Sequence, residues 1–171
     1  MSFKTERLVV QHWAEHLKNP ALRKKLAADL QPVLTSVVLR HLPDPLHISN
    51  APHAIHDWMS AREDESTVLT VRHAADHALL GLVILADMPG DGGQTEVHLG
   101  YLLAETAWGI GYATEIISGL IGWYKKEKPD VTLIGGVEKD NPASARVLEK
   151  CGFRVAPNLS SDTADMYCLT L

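Results

Sequence analysis

The sequence predicts an α/β protein, a mixed sheet with helices over its faces. Three observations predict it. Stretches of strand length that alternate, such as "TEVHLGYLL" at 95–103, are interleaved with stretches of helical period, such as "IGYATEIISGLIGWYKKEK" at 110–128. Glycine, proline, Asn and Asp clusters punctuate the boundaries between them. The chain has 171 residues, 46% hydrophobic and 22% charged, which suits one domain over 1–171. A domain of that size buries roughly 70% of its unfolded surface and needs no covalent staple.

The elements follow in order. Residues 7–13, "RLVVQHW", read as a first strand. Residues 21–30 read as a short helix, with Leu22, Leu26 and Leu30 four apart. Pro32, Pro43, Pro45 and Pro52 break any long element in the next stretch, which is predicted to be partly irregular. Pro52 suits the start of a second helix over 52–64, where Ile55, Trp58 and Met59 share a face. Residues 66–74 and 79–88 read as paired strands around "ADHA", and "DGGQ" at 91–94 as a turn. In 95–103, Val97, Leu99, Tyr101 and Leu103 face one way and Glu96, His98 and Gly100 the other. The long helix that follows places Ile110, Ala113, Ile117, Leu120 and Tyr124 on a buried stripe; Lys125, Lys126 and Lys128 suit its negative end and Pro129 stops it. Residues 131–139 read as a buried strand. Asn141 caps a helix over 141–152, with Pro142 first and Gly152 as the left-handed C-cap. Strands near 153–156 and 164–171 close the count at about seven strands and four helices. The unit from 95 to 139 is expected to be right-handed and locally parallel.

Composition excludes several classes. A formal charge of −5 argues against a nucleic-acid partner and permits a cationic amine. Cys151 and Cys168 have no metal-type spacing and form no disulfide framework, which fits a reducing cytoplasm. The N-terminus lacks a signal-peptide apolar core, and no apolar run approaches the ~20 residues of a membrane span, so a cytoplasmic protein with no membrane association is expected. His41, His47, His53 and His56 cluster near the prolines without the carboxylate partners of a metal site, so no metal is expected.

The stretch "WGIGYATE" at 108–115 carries the chemistry. A strand that enters a glycine turn and then a helix offers unpaired amides and a positive dipole to an anion. A dinucleotide fingerprint would need glycine where Thr114 stands, and a P-loop would need a Gly-Lys-Ser/Thr ending. A coenzyme A pyrophosphate cradle and a helix start with glycines for packing both remain open on this stretch alone.

Three stretches together resemble the GNAT superfamily of N-acyltransferases, in its ribosomal-protein N-acetyltransferase-like (RimJ/RimL) branch: "TERLVV" at 5–10, "LGYLLAETAWGIGYATE" at 99–115 and "NPASARVLEKCGF" at 141–153. The resemblance implies the GNAT fold, splayed between its fourth and fifth strands, and acetyl-CoA as co-substrate. Leu102 and Leu103 would pair their backbone with the pantetheine arm. Trp108, Gly109, Ile110, Gly111, Tyr112 and Ala113 would wrap the pyrophosphate. Asn141 would meet the cofactor, and Ser144 would lie near its sulfur. Trp108 stands where the resemblance implies Gln or Arg, and Ile110 where it implies a basic residue; Arg146 or Lys150 are candidate replacements for that cation.

Acyl transfer to an amine needs a base, donors for the thioester carbonyl and an acid for the leaving thiolate. His98 is the favoured base and Glu96 the second choice, since both lie on the polar face of the 95–103 strand. An imidazole, with a pKa near ~6.5, is matched to neutral pH. Ser144 is the favoured acid, its alternative being a hydroxyl that merely serves the helix start. Cys151 reads as a small core residue. The expected reaction is direct transfer in a ternary complex to a primary amine, either a protein N-terminus or a small molecule, in a chain that admits a homodimer. A catalytically silent CoA-binding domain and, further off, a nucleotide-dependent oxidoreductase are the alternatives.

Overall fold

A computed structural model describes residues 1–49, 51, 53–90 and 94–171. The expectation for Pro52, and residues 91–93 of the turn expected at 91–94, lie outside the described residues. Among the described residues, eight strands form an open mixed sheet in the order β1-β2-β3-β4-β5-β6-β8-β7. The chain divides into two compact units, Met1–Ile84 with Tyr101–Ile110, and Leu85–Gly100 with Gly111–Leu171.

The first unit holds β1 (Ser2–Lys4), β2 (Leu8–His12), α1 (Ala14–Lys18), α2 (Pro20–Leu30), α3 (Ser36–Leu39), α4 (Ala54–Glu65) and β3 (Thr67–His73). It also holds the first half of β4 (Leu79–Pro89) and the last three residues of β5 (Thr95–Leu103). β1 and α1 have three and five residues, too short to show a period, and add to the predicted count. α2 starts because Asn19 Oδ1 accepts from the amides of Ala21 at 2.9 Å and Leu22 at 3.2 Å, with Pro20 in the first turn. Leu26 and Leu30 are buried, whereas Leu22 at the first turn of α2 is exposed.

The proline-interrupted stretch is irregular in backbone yet central in packing. Val33, Leu34, Val38 and Leu39 join Trp13, Leu26, Leu30, Trp58, Met59, Leu82 and Leu102 in one core. Trp13 and Trp58 meet edge to face, ring centres 6.3 Å apart. The Trp58 indole donates to the Leu46 carbonyl at 2.9 Å, and the His47 ring lies 2.8 Å from the Leu42 carbonyl. Such bonds satisfy backbone that no helix or strand can satisfy.

The second unit holds the rest of β4 and β5, α5 (Tyr112–Glu127), β6 (Val131–Glu138), α6 (Pro142–Lys150), β7 (Arg154–Val155) and β8 (Ala164–Thr170). Ile116, Ile117, Leu120 and Tyr124 form the buried stripe of α5. Ile110 is not part of that stripe: it precedes the helix and is 51% exposed, because left-handed Gly111 at φ 88° separates it from α5. Gly152, at φ 94°, ends α6 as expected, with the Phe153 amide reaching back to the Leu148 carbonyl at 3.1 Å.

Among the described residues there are six α-helices and eight strands, where about four and about seven are expected, the surplus being short elements such as β1, α1 and α3. The 95–139 unit is parallel as expected, β5 pairing with β6 from Thr95↔Val131 to His98↔Ile134. β6 runs antiparallel to β8 from Thr132↔Thr170 to Glu138↔Ala164.

Candidate active site

The β5 strand sets the geometry. Its parallel register with β6 ends at the His98↔Ile134 pair, although β5 continues to Leu103 and β6 to Glu138. Glu96 and His98 sit two residues apart on one face of β5, as strand alternation requires. His98 Nε2 lies 3.8 Å from Glu96 Oε2, within ion-pair reach when the imidazole is protonated. The two side chains are 41% and 33% exposed, so both reach solvent.

Farther along, β5 turns its backbone alternately to its two edges. The Ala104 amide donates to the Leu80 carbonyl at 2.8 Å, so Leu102 and Ala104 address β4. The Leu102 carbonyl is so close to Gly81 that a Cβ there would stand 2.1 Å from it, which is why that position is glycine. Leu103 faces the other edge by the strand period. Its carbonyl accepts from the Trp108 indole at 2.8 Å. The two leucines paired in the sequence expectation thus have different neighbours: the Leu102 carbonyl lies against Gly81, and the Leu103 carbonyl is held by Trp108.

The loop after β5 is pinned from three sides. A 3-10 turn spans Glu105–Ala107. Glu105 Oε1 accepts from the Thr35 hydroxyl at 2.9 Å, and Thr35 also caps α3 through the Val38 amide at 3.2 Å. Trp108 holds Leu103 as described. Arg7 Nη1 donates to the Ile110 carbonyl at 3.1 Å. Gly109 sits at φ 74°, a conformation that disfavours other residues, and a Cβ there would meet nothing within 4 Å.

In the second unit, Gly111 is the N-cap of α5 and carries no side chain to cap it. The amides of Tyr112 and Ala113 open the helix, while Glu115 already returns its amide to the Gly111 carbonyl at 3.1 Å. Asn141 caps α6, its Oδ1 accepting from the Ser144 amide at 3.2 Å. That cap uses the amide of Ser144, not its hydroxyl. Burial pushes the Cys151 thiol up despite its contact with Ser118, and its Sγ points to the Thr114 carbonyl at 3.7 Å. A protonated, inward-directed thiol is a poor nucleophile, in keeping with a core role.

The predicted residues therefore fall in two groups. Leu102, Leu103, Trp108, Gly109 and Ile110 belong to the first unit; Glu96, His98, Gly111, Tyr112, Ala113, Asn141 and Ser144 belong to the second. Within them the structure joins Glu96 to His98, Leu103 to Trp108, and Asn141 to Ser144. Sequence reasoning missed Arg7 and Thr35. Arg7 lay in the quoted "TERLVV", but nothing in a linear reading links it to a loop 103 residues away.

With this geometry in place, the comparisons define the class. The acetyltransferase (GNAT) domain family model matches residues 7–154. The chain belongs to the GNAT acetyltransferase family and is an enzyme of that class. The catalytically silent and oxidoreductase alternatives gain no support. Solved structures share the fold. An acetyltransferase from Agrobacterium tumefaciens superposes with a TM-score of 0.69 at 20% identity, over 100% of this chain and 95% of that one. RimL, a ribosomal L7/L12 alpha-N-protein acetyltransferase solved with coenzyme A, gives 0.71 at 15% identity, over 100% and 98%. The microcin C7 self-immunity acetyltransferase MccE, solved with acetyl-CoA and AMP, gives 0.64 at 15%, over 98% and 94%. No curated protein sequence matches the chain. Among the described residues, no helix is long and apolar enough to cross a membrane.

Proposed function

We propose that this chain, acting as one domain over 1–171, moves an acetyl group from acetyl-CoA to a primary amine. The observation that carries this reading is the Gly109–Gly111 turn, with φ of 74° and 88°, opening a helix whose N-cap is a glycine with no side chain to occupy it. Anionic phosphates suit that arrangement. The family match runs across both compact units, which supports treating them as one domain. Trp108, Gly109, Ile110, Gly111, Tyr112 and Ala113 hold the pyrophosphate through backbone groups. The Leu103 backbone meets the pantetheine arm where the β5–β6 register has ended, and Asn141 touches the cofactor.

The amine nitrogen attacks the thioester carbonyl carbon, the C–S bond breaks, and the acetyl group leaves on nitrogen. His98, with Glu96 beside it at 3.8 Å, takes the ammonium proton directly or through water. Ser144 passes its hydroxyl proton to the leaving thiolate and takes one back from solvent. A protein α-amine, with a pKa of about 8, is far easier to deprotonate than a lysine at about 10.4. A solvent-exposed imidazole beside a carboxylate therefore suits an N-terminal acceptor better, in line with the named activity of RimL. The free thiols Cys151 and Cys168 fit a reducing cytoplasm as the place of action.

Thiol release from acetyl-CoA, measured over peptides with varied N-termini and over small amines, tests the proposal. Turnover above background with at least one amine is expected. Absence of both turnover and CoA binding overturns it.

A further inference from the structure

We propose that Arg7 is a positioning residue for acetyl-CoA, fixing the peptide plane that aims an amide at the pyrophosphate; this rests on the acetyl-CoA reading above. Arg7 lies between β1 and β2, and its guanidinium crosses to the Ile110 carbonyl, 3.1 Å from Nη1. Ile110 stands between two left-handed glycines, Gly109 and Gly111. Glycine lacks the steric restriction that would hold the intervening peptide planes, so this turn needs an outside constraint. In a trans peptide the C=O of one residue and the N–H of the next point in opposite directions. Holding the Ile110 oxygen toward Arg7 therefore aims the Gly111 amide the opposite way. It also keeps a carbonyl dipole from turning its negative end toward the phosphates.

The other two pins act elsewhere in the loop, Thr35 on Glu105 and Trp108 on Leu103. Arg7 alone of the three grips the turn between the glycines. Ile110 brings no charge of its own, so the cation at this turn comes from a distant part of the chain. The Arg7 carbonyl meanwhile accepts from the Ala74 amide at 2.8 Å, a backbone bond that side-chain replacement leaves in place.

The test compares CoA with pantetheine, which has the thiol arm but no phosphates. Both compete with a fluorescent acetyl-CoA analogue for wild type, R7Q and R7K, with thermal midpoints recorded alongside. The ratio of pantetheine to CoA inhibition constants is expected to fall about tenfold in R7Q, the worth of one charge-assisted bond. R7K keeps the charge and the packed stem but ends short of the carbonyl; a fall of about threefold is expected. R7K decides the matter if R7Q does not fold. A ratio unchanged in the folded variants overturns the role of Arg7 and leaves the acetyl-CoA reading standing. A wild-type protein that binds neither CoA nor the analogue overturns both.

Discussion

His98 and Glu96 show what two residues on one strand face can do. Their side chains come within 3.8 Å while both reach solvent, which sets a carboxylate beside the candidate proton acceptor. H98A is expected to lower kcat by about a hundredfold, within the range of a lost general base. The acid limb of its pH–rate profile is expected to change as well; a profile identical to wild type removes His98 from the base role. A second residue-scale effect concerns stability. Burial works against the charge of Asp29, but hydrogen bonds from Arg72 at 2.9 Å and Lys25 at 3.1 Å outweigh it and hold the carboxyl below its usual range. A carboxyl depressed in the folded state binds its proton more readily when unfolded. Its stabilisation is therefore present above the unfolded pKa and lost as pH falls through the folded one. D29N is expected to cost about 1 kcal/mol at pH 7. Denaturant titrations are expected to show that difference vanishing in strong acid, below the usual carboxylate range.

Among elements, the helices and strands with long periods were legible and the short ones were not. α5 and α6 declare themselves through apolar spacing, the Asn141–Pro142 start and the Gly152 stop. β1 pairs only three residues with β2, and α1 has a single buried leucine, so neither carries a pattern. Ile110 was misplaced on the α5 stripe because its spacing fits; the left-handed Gly111 breaks the helix just after it. The loop between β5 and α5 was legible as glycines but not as a pinned object, since its pins come from Arg7 and Thr35 far away in sequence. Gly109 gives this element a direct test. A Cβ there meets no protein atom within 4 Å, so G109A pays only the left-handed backbone penalty of about 1–2 kcal/mol. If the open space above it is where a phosphate approaches, CoA affinity falls by more than tenfold while the fold survives. Calorimetric titration of CoA alongside thermal unfolding checks this; stability loss with unchanged affinity counts against the pyrophosphate loop.

For the whole molecule, the order of elements was readable because each sheet strand or helix has a local signal, while the core was not. The proline-rich stretch gave no periodicity, yet it supplies Val33, Leu34, Val38 and Leu39 to the first unit's core. Its side chains are fixed by what they pack against, which a linear reading does not contain. The same holds for the division into units. The chain passes from one to the other after Ile84, Gly100 and Ile110, and the first two passages lie inside the continuous strands β4 and β5. A strand cannot melt in its middle without breaking the ladder bonds on both sides of the break. If the chain is one domain, heat therefore unfolds it in one transition. Leu102 tests this: it is 4% exposed, packs in the first unit's core, and sits on the strand whose earlier residues belong to the second. L102A is expected to cost about 2–5 kcal/mol through lost burial and a cavity. Calorimetry is expected to show the single transition moving down intact, with Trp123 on α5 reporting the same midpoint as the far-ultraviolet signal. A lowered first transition beside an unmoved second one, followed through Trp123, would separate the units and end the single-domain reading.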